Sequence, residues 1–139
     1  MKVVVNKCFG GFSLSPLAVK LYMEAQGFPF FAYTQKYSTD GDNFVPMTDV
    51  EDTTSFGMFF IYSSKGNLKS WEDVKEGDIF EDREIERTDP ILVKVVEQLG
   101  TKANGGAAQL EIVEIPDDVK WSISDYDGIE SIHEVHRVW

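Results

Sequence analysis

The chain has 139 residues, 42% of them hydrophobic and 13% aromatic, so it can bury one core of ordinary domain size. This composition excludes a disordered or fibrous chain. The 24 acidic and 13 basic residues give a net charge of −11. This acidity argues against a protein that binds DNA or anionic lipid mainly by electrostatics, because phosphate contacts require lysine and arginine.

Cysteine usage and hydropathy favour a cytoplasmic protein. Cys8 is the single cysteine, so no internal disulfide can form and no cysteine–histidine set could close a zinc site. The N-terminal apolar run of three residues is shorter than the roughly seven of a secretory signal. No stretch approaches the roughly 18 apolar residues of a membrane helix. We therefore expect no metal, no cofactor and no membrane association.

The charge is unevenly distributed. Residues 1–38 hold four lysines and one acidic residue, a net charge of +3. Residues 39–90 carry −9 and residues 91–139 carry −5. The acidity therefore lies mainly in the middle of the chain, and a small anion remains a plausible ligand for the basic N-terminal part.

The first half of the chain predicts a strand, a helix and two aromatic strands. A β-branched run at 2–6 is typical of a buried strand. A helix is predicted to follow the N-cap Ser15 and Pro16, since apolar residues recur at helical spacing as far as Gly27. The two aromatic strands are 30–37 and 56–62.

Two acidic segments, 39–55 and 64–87, are predicted as loop-rich insertions. The aperiodic stretch 38–55 is long for a loop in a compact domain, which indicates a functional or mobile segment. In the second segment we expect a helical turn near Trp71 and a short strand near Ile79.

The second half predicts a helix and three strands. Thr88 or Asp89 caps the helix, Pro90 lies in its first turn and Gly100 ends it. Strands at 109–115, 121–125 and 129–139 follow, the last two joined by an Asp127–Gly128 hairpin turn. This order predicts one α+β domain over 1–139, with two helices packed on a mostly antiparallel sheet of about five to six strands.

Several short segments of the chain form a distinctive set: 6–15, 87–90, 92–93, 95–100, 103–105, 113–118, 126–128, 136–137 and Trp139. Together they resemble a group of small proteins encoded by bacteriophages and prophages, mainly of Gram-positive bacteria. The resemblance covers the first 27 residues and most of 87–139. It implies a phage setting and a host cytoplasm, and it carries no known activity.

The glycine-containing loop before the first helix is the main candidate binding site. A loop between a strand and a helix N-terminus presents backbone N–H groups to a phosphate or carboxylate, and arginine can bind either group bidentately. A tight turn packed by Phe9 and Phe12, with arginines in structural ion pairs, is the alternative interpretation. The candidate ligand-binding residues are Asn6, Lys7, Gly10, Gly11, Ser13, Arg87 and Arg137.

Catalytic and metal-binding interpretations are less well supported by the sequence. Cys8 is the one candidate nucleophile, with His133 or His136 as its base, and its alternative role is that of a buried apolar filler. The two histidines have a spacing found in metal sites, but on a strand they point to opposite faces. No catalytic residue is therefore assigned.

The sequence accordingly favours a phage or prophage accessory protein that acts by binding, in counter-defence or host takeover. Its expected target is a host protein or a small anionic ligand. Four alternatives stay open. The protein could sequester a nucleotide messenger, or act as an acidic decoy for a nucleic-acid-binding protein. It could also be a Cys8-dependent hydrolase or transferase, or a minor virion component. An exposed edge on the last strand would also allow a homodimer.

Overall fold

The predicted α+β class is confirmed in a computed structural model that describes residues 1–38, 41–47 and 60–135. The helices are α1 (Pro16–Ala25) and α2 (Pro90–Leu99). Short 3-10 turns span Trp71–Asp73, Asp82–Glu84 and Gly100–Ala103. The strands are β1 (Lys2–Asn6), β2 (Phe31–Ser38), β3 (Gly41–Pro46), β4 (Phe60–Ser63), β5 (Ile79–Phe80), β6 (Leu110–Glu114), β7 (Trp121–Tyr126) and β8 (Ile129–Glu134).

The described strands form three antiparallel sheets, where the sequence suggested one sheet of about five to six strands. One sheet pairs β1 with β6, with Val4 opposite Ile112. A second has the order β3-β2-β4-β5. The third is the β7–β8 hairpin, whose turn lies at the predicted Asp127–Gly128. All described ladders are antiparallel, as predicted.

The prediction of an uninterrupted loop over 38–55 was wrong. Residues 41–46 form β3, which pairs with β2 so that Thr34 lies opposite Val45 and Ser38 opposite Gly41. Residues 39–40 and 48–55 lie outside the described part. The sequence of β3 has no periodic apolar pattern. The segment is extended because its backbone pairs with the neighbouring strand β2.

Both helices begin at the predicted caps. The Ser15 hydroxyl accepts a hydrogen bond from the N–H of Ala18 (3.2 Å) and donates one to the carbonyl of Lys102 (2.6 Å). At α2, Asp89 Oδ1 accepts from the N–H of Ile91 (2.8 Å). Each helix thus begins where a side chain satisfies a backbone N–H that the helix itself leaves unpaired.

A hydrogen bond joins the two helices. The Tyr22 hydroxyl of α1 donates to Asp89 Oδ2 at the start of α2 (2.6 Å). Burial, and after it the hydrogen bond to Asp89, raise the pKa of Tyr22 to about 12. The phenol therefore stays protonated and serves as a donor at every pH near neutrality.

The main core lies between the helices, β1 and the four-stranded sheet. It contains buried residues of both helices together with Val4, Ala32 and Tyr62. The alternate residues Tyr33 and Ile61 point to the other face of the same sheet, where they form a smaller cluster with Phe44 and Leu68. Among the described residues, no helix has the length and hydropathy needed to cross a lipid bilayer.

Asp78 organises the loop before β5. Its contacts predict that the folded protein loses stability in acid. Its carboxylate accepts a hydrogen bond from the N–H of Lys75 (2.8 Å) and pairs with Lys65 Nζ (2.9 Å). The Lys75 N–H, and then the Lys65 ammonium, hold the pKa of Asp78 below its ordinary value. The stabilisation is therefore complete above a pH of about 4 and is lost as pH falls through the lowered pKa.

Urea unfolding of the wild type and of Asp78→Asn between pH 7 and pH 2.5 tests this expectation. The variant should be less stable at pH 7, and the difference in unfolding free energy should shrink below a pH of about 4. Asp118→Asn, at an exposed position, serves as the control and should unfold like the wild type throughout. A difference that stays constant down to pH 2.5 would contradict the assignment.

Candidate functional site

The loop between β1 and α1 meets the turn of the β7–β8 hairpin. The N–H of Gly10 donates to the carbonyl of Asp127 (3.3 Å). A Cβ atom on Gly128 would overlap the backbone nitrogens of Gly11 and Gly10, the latter at 2.7 Å. Gly10, Gly11 and Gly128 all have positive φ values, between +90° and +115°. Only glycine can adopt this backbone path at such close approach, which explains the glycines of the predicted loop.

Asn6, at the end of β1, connects this loop to both neighbouring segments. Its Nδ2 donates to the carbonyls of Cys8 (2.7 Å) and Gly128 (2.6 Å). Its Oδ1 accepts from the N–H groups of Cys8 (3.3 Å) and Gln109 (2.8 Å). The buried Asn6 amide thus makes four hydrogen bonds within the protein and positions the loop.

Glu130 is a buried carboxylate at the junction of β8 with β1. It is 5% exposed and accepts hydrogen bonds from the N–H of Asn6 (2.8 Å) and from Arg87 Nη1 (2.5 Å). Its backbone carbonyl accepts a hydrogen bond from Lys7 Nζ (3.1 Å). The ion pair and these hydrogen bonds together attach the hairpin to β1.

Arg87 is held in place from two sides. Its guanidinium carbon lies 3.5 Å from the centroid of the Phe12 ring, in a cation–π contact. Its Nη1 donates to Glu130 and also contacts the carbonyl of Val4 (3.5 Å). Among the described residues, Nε and Nη2 of this guanidinium have no protein acceptor. The arginine is therefore fixed in orientation while part of its donor fork remains available.

An open cleft of about 590 Å³ lies where these segments meet. Arg83 and Arg87 line it from the segment before α2, and Asp125 and Asp127 line it from the β7–β8 hairpin. In the described structure, neither arginine forms an ion pair with either aspartate. The rings of Phe9 and Phe12, the backbone of Gly10, Gly11 and Gly128, and the Arg87-paired Glu130 complete the lining.

The structure brings most of the predicted binding residues together, but only some of them reach the cleft. Gly10, Gly11 and Arg87 line it, whereas the side chains of Asn6 and Lys7 are engaged in the hydrogen bonds given above. Ser13 is not among the lining residues. It packs against Gly105, whose N–H donates to the Ser13 carbonyl (3.0 Å). Arg137 lies outside the described residues.

The residues considered for catalysis or metal binding do not form a site in the described part of the chain. The half-buried Cys8 thiol has no hydrogen bond to a described histidine. His133 is exposed on β8, where its Nε2 lies 2.9 Å from the Ser131 hydroxyl, and His136 lies outside the described residues. Within the described part of the chain, no three potential metal ligands cluster.

Sequence reasoning missed Glu130, Arg83 and Asp127 as residues of the site. A signal existed for Glu130, since it shares a strand face with Ile132, and a carboxylate on an apolar face requires a cation or donors. Arg83 lies in a polar loop where no local pattern distinguishes it from a solvated charge. Asp127 was interpreted only as a turn residue.

Comparisons with known proteins leave these residues as the basis for any functional conclusion. No family model, no curated protein and no solved structure matches the chain. The function is therefore argued from the chemistry of the cleft.

Proposed function

We propose that this protein is a phage- or prophage-encoded accessory protein that acts by binding a small anionic ligand in the Arg83–Arg87 cleft. The observation that carries the proposal is the Arg87 guanidinium, held between Phe12 and Glu130 on the cleft wall. A preoriented arginine binds a carboxylate or phosphate without the entropy loss of ordering its own side chain.

Neighbouring groups support an anion at this place. Arg83 adds a second, exposed guanidinium to the same cleft. Its neighbour Asp82 accepts a hydrogen bond from the N–H of Leu14 (2.8 Å), which ties the Asp82–Glu84 turn to the loop before α1. The cleft volume of about 590 Å³ falls within the range of about 300–1,000 Å³ that small-molecule sites occupy.

The sequence supports the setting and the mode of action. The 6–15 segment carries part of the resemblance to phage proteins, and it forms the loop beside the cleft. The buried polar groups of Asn6 and Glu130 are satisfied by hydrogen bonds within the protein. They act as positioning groups for a binding site in a host-cytoplasmic protein.

Binding of pyrophosphate at constant ionic strength tests the proposal. Pyrophosphate should raise the Tm of the wild type, and Arg83→Gln should weaken its affinity about tenfold, since a charge-assisted hydrogen bond contributes about 1.5–3 kcal/mol. Arg87→Lys keeps a cation opposite Glu130 but loses the planar fork, so it should weaken binding as well.

Lys69→Gln removes one exposed positive charge outside the cleft and is the matched control. Its affinity for pyrophosphate should equal that of the wild type. Near-UV circular dichroism should show the wild-type fold for all three variants. The proposal is overturned if pyrophosphate does not bind, or if Lys69→Gln weakens binding as much as Arg83→Gln.

A further inference from the structure

The cleft carries opposite charges on separate segments. Arg83 and Arg87 come from the chain before α2, whereas Asp125, Asp127 and Glu130 come from the β7–β8 hairpin. In the described structure Glu130 pairs with Arg87, and no ion pair joins either arginine to Asp125 or Asp127. A simple anion would be attracted by the arginines and repelled by the aspartates. A complementary ligand therefore has an anionic group at one end and hydrogen-bond donors at the other.

Of the two aspartates, Asp127 has the greater capacity to accept hydrogen bonds from a ligand. Asp125 Oδ1 already accepts a hydrogen bond from the N–H of Gly128 (2.8 Å). The Asp127 carboxylate has no hydrogen-bond donor among the described residues, and this residue has a φ of +50°. Both of its oxygens can thus accept from donors in the cleft.

Phe9 supplies an apolar face at the same cleft. Its side chain is 61% exposed, although its ring is large and apolar. The Phe12 ring is already covered by the Arg87 guanidinium. Phe9 is therefore the aromatic ring that can stack against a planar group of the ligand, an interaction worth about 1–3 kcal/mol for a nucleobase.

The cleft thus offers arginines for an anion, a carboxylate for hydrogen-bond donors and an aromatic ring for a planar group. A nucleotide has all three matching parts. We infer that the ligand is a purine nucleotide, with its phosphate on Arg83 and Arg87, its base against Phe9 and the N–H donors of the base on Asp127. Guanine fits best, because its N1–H and 2-amino group are adjacent donors that match the two oxygens of one carboxylate. The inference rests on the proposed function and names the class of its ligand.

Calorimetric titration with GMP, IMP and AMP tests the assignment. IMP lacks only the 2-amino group of GMP, so it should bind about tenfold more weakly, since one hydrogen bond to a charged group is worth about 1.5–3 kcal/mol. AMP should bind more weakly still, because its N1 is an acceptor. Asp127→Asn should abolish the preference for GMP over IMP.

Two further variants separate the contributions. Phe9→Ala should weaken the binding of all three nucleotides about tenfold or more. Asp118→Asn removes an exposed carboxylate outside the cleft and should preserve the GMP preference. Asp127→Asn is expected to fold, since asparagine tolerates a left-handed backbone as well as aspartate does.

The outcomes distinguish this inference from the proposed function. Equal affinities for GMP, IMP and AMP, with Arg83-dependent pyrophosphate binding intact, would overturn the contact of the base with Asp127 and leave the proposed function standing. A GMP preference that persists in Asp127→Asn would do the same. If neither pyrophosphate nor any nucleotide binds, both the inference and the proposed function are wrong.

Discussion

Glu130→Ala will lower the free energy of unfolding by about 3–5 kcal/mol, the usual range for breaking a buried ion pair by removing one partner. The substitution leaves the Arg87 guanidinium, 16% exposed, without its carboxylate. It also removes the acceptor for the N–H of Asn6. Because Glu130 attaches the hairpin to β1, amide hydrogen exchange should accelerate first in β7 and β8.

Glu134→Ala is the matched control, since Glu134 is an exposed carboxylate on the same strand. Its effect on urea unfolding should stay within about 0.5 kcal/mol. The double variant Arg87→Ala/Glu130→Ala should be less destabilised than the sum of the two single variants, because no buried charge is left unpaired. Equal effects of the Glu130 and Glu134 substitutions would contradict the role assigned to the ion pair.

Gly128→Ala will also destabilise the protein strongly, by about 2–5 kcal/mol, since overpacking adds to the unfavourable left-handed backbone. At φ +90°, the added Cβ would overlap the backbone nitrogens of Gly11 and Gly10. Backbone atoms cannot move aside as a flexible side chain can. The loop and the hairpin turn must therefore separate. Because both segments line the cleft, the variant should also lose the binding of pyrophosphate that we propose for it.

Gly77→Ala separates the cost of the close backbone approach from the cost of the left-handed backbone conformation. Gly77 has nearly the same backbone angle, φ +84°, but no atom lies within 4 Å of its added Cβ. Its substitution should therefore lower the unfolding free energy by only about 1–2 kcal/mol, which is the cost of the left-handed conformation. Thermal and urea unfolding of both variants give the comparison. A Gly128 variant no less stable than the Gly77 variant would show that the close backbone approach does not matter.

The sequence predicted those features that depend on neighbouring residues. Ser15 with Pro16 and Asp89 with Pro90 marked the two helix starts, because capping and proline geometry act over three or four residues. Asp127–Gly128 marked the hairpin for the same reason. The glycine loop was correctly placed between β1 and α1.

Two features of the fold were not predictable in this way. Strand β3 depends on its pairing with β2, and its own residues carry no periodic pattern. The division of the strands among three sheets depends on how the elements pack, and short-range signals do not specify that packing.

The sequence by itself thus determined the α+β class, the starts of both helices and the position of the glycine loop. The tertiary structure decided which of the candidate residues can contact a ligand. Asn6 and Gly128 are 122 residues apart, and Arg87 and Glu130 are 43 apart, yet each pair is joined by a hydrogen bond. Such contacts form only when distant segments pack, so residues that appear as solvated charges in the sequence line one cleft in the fold.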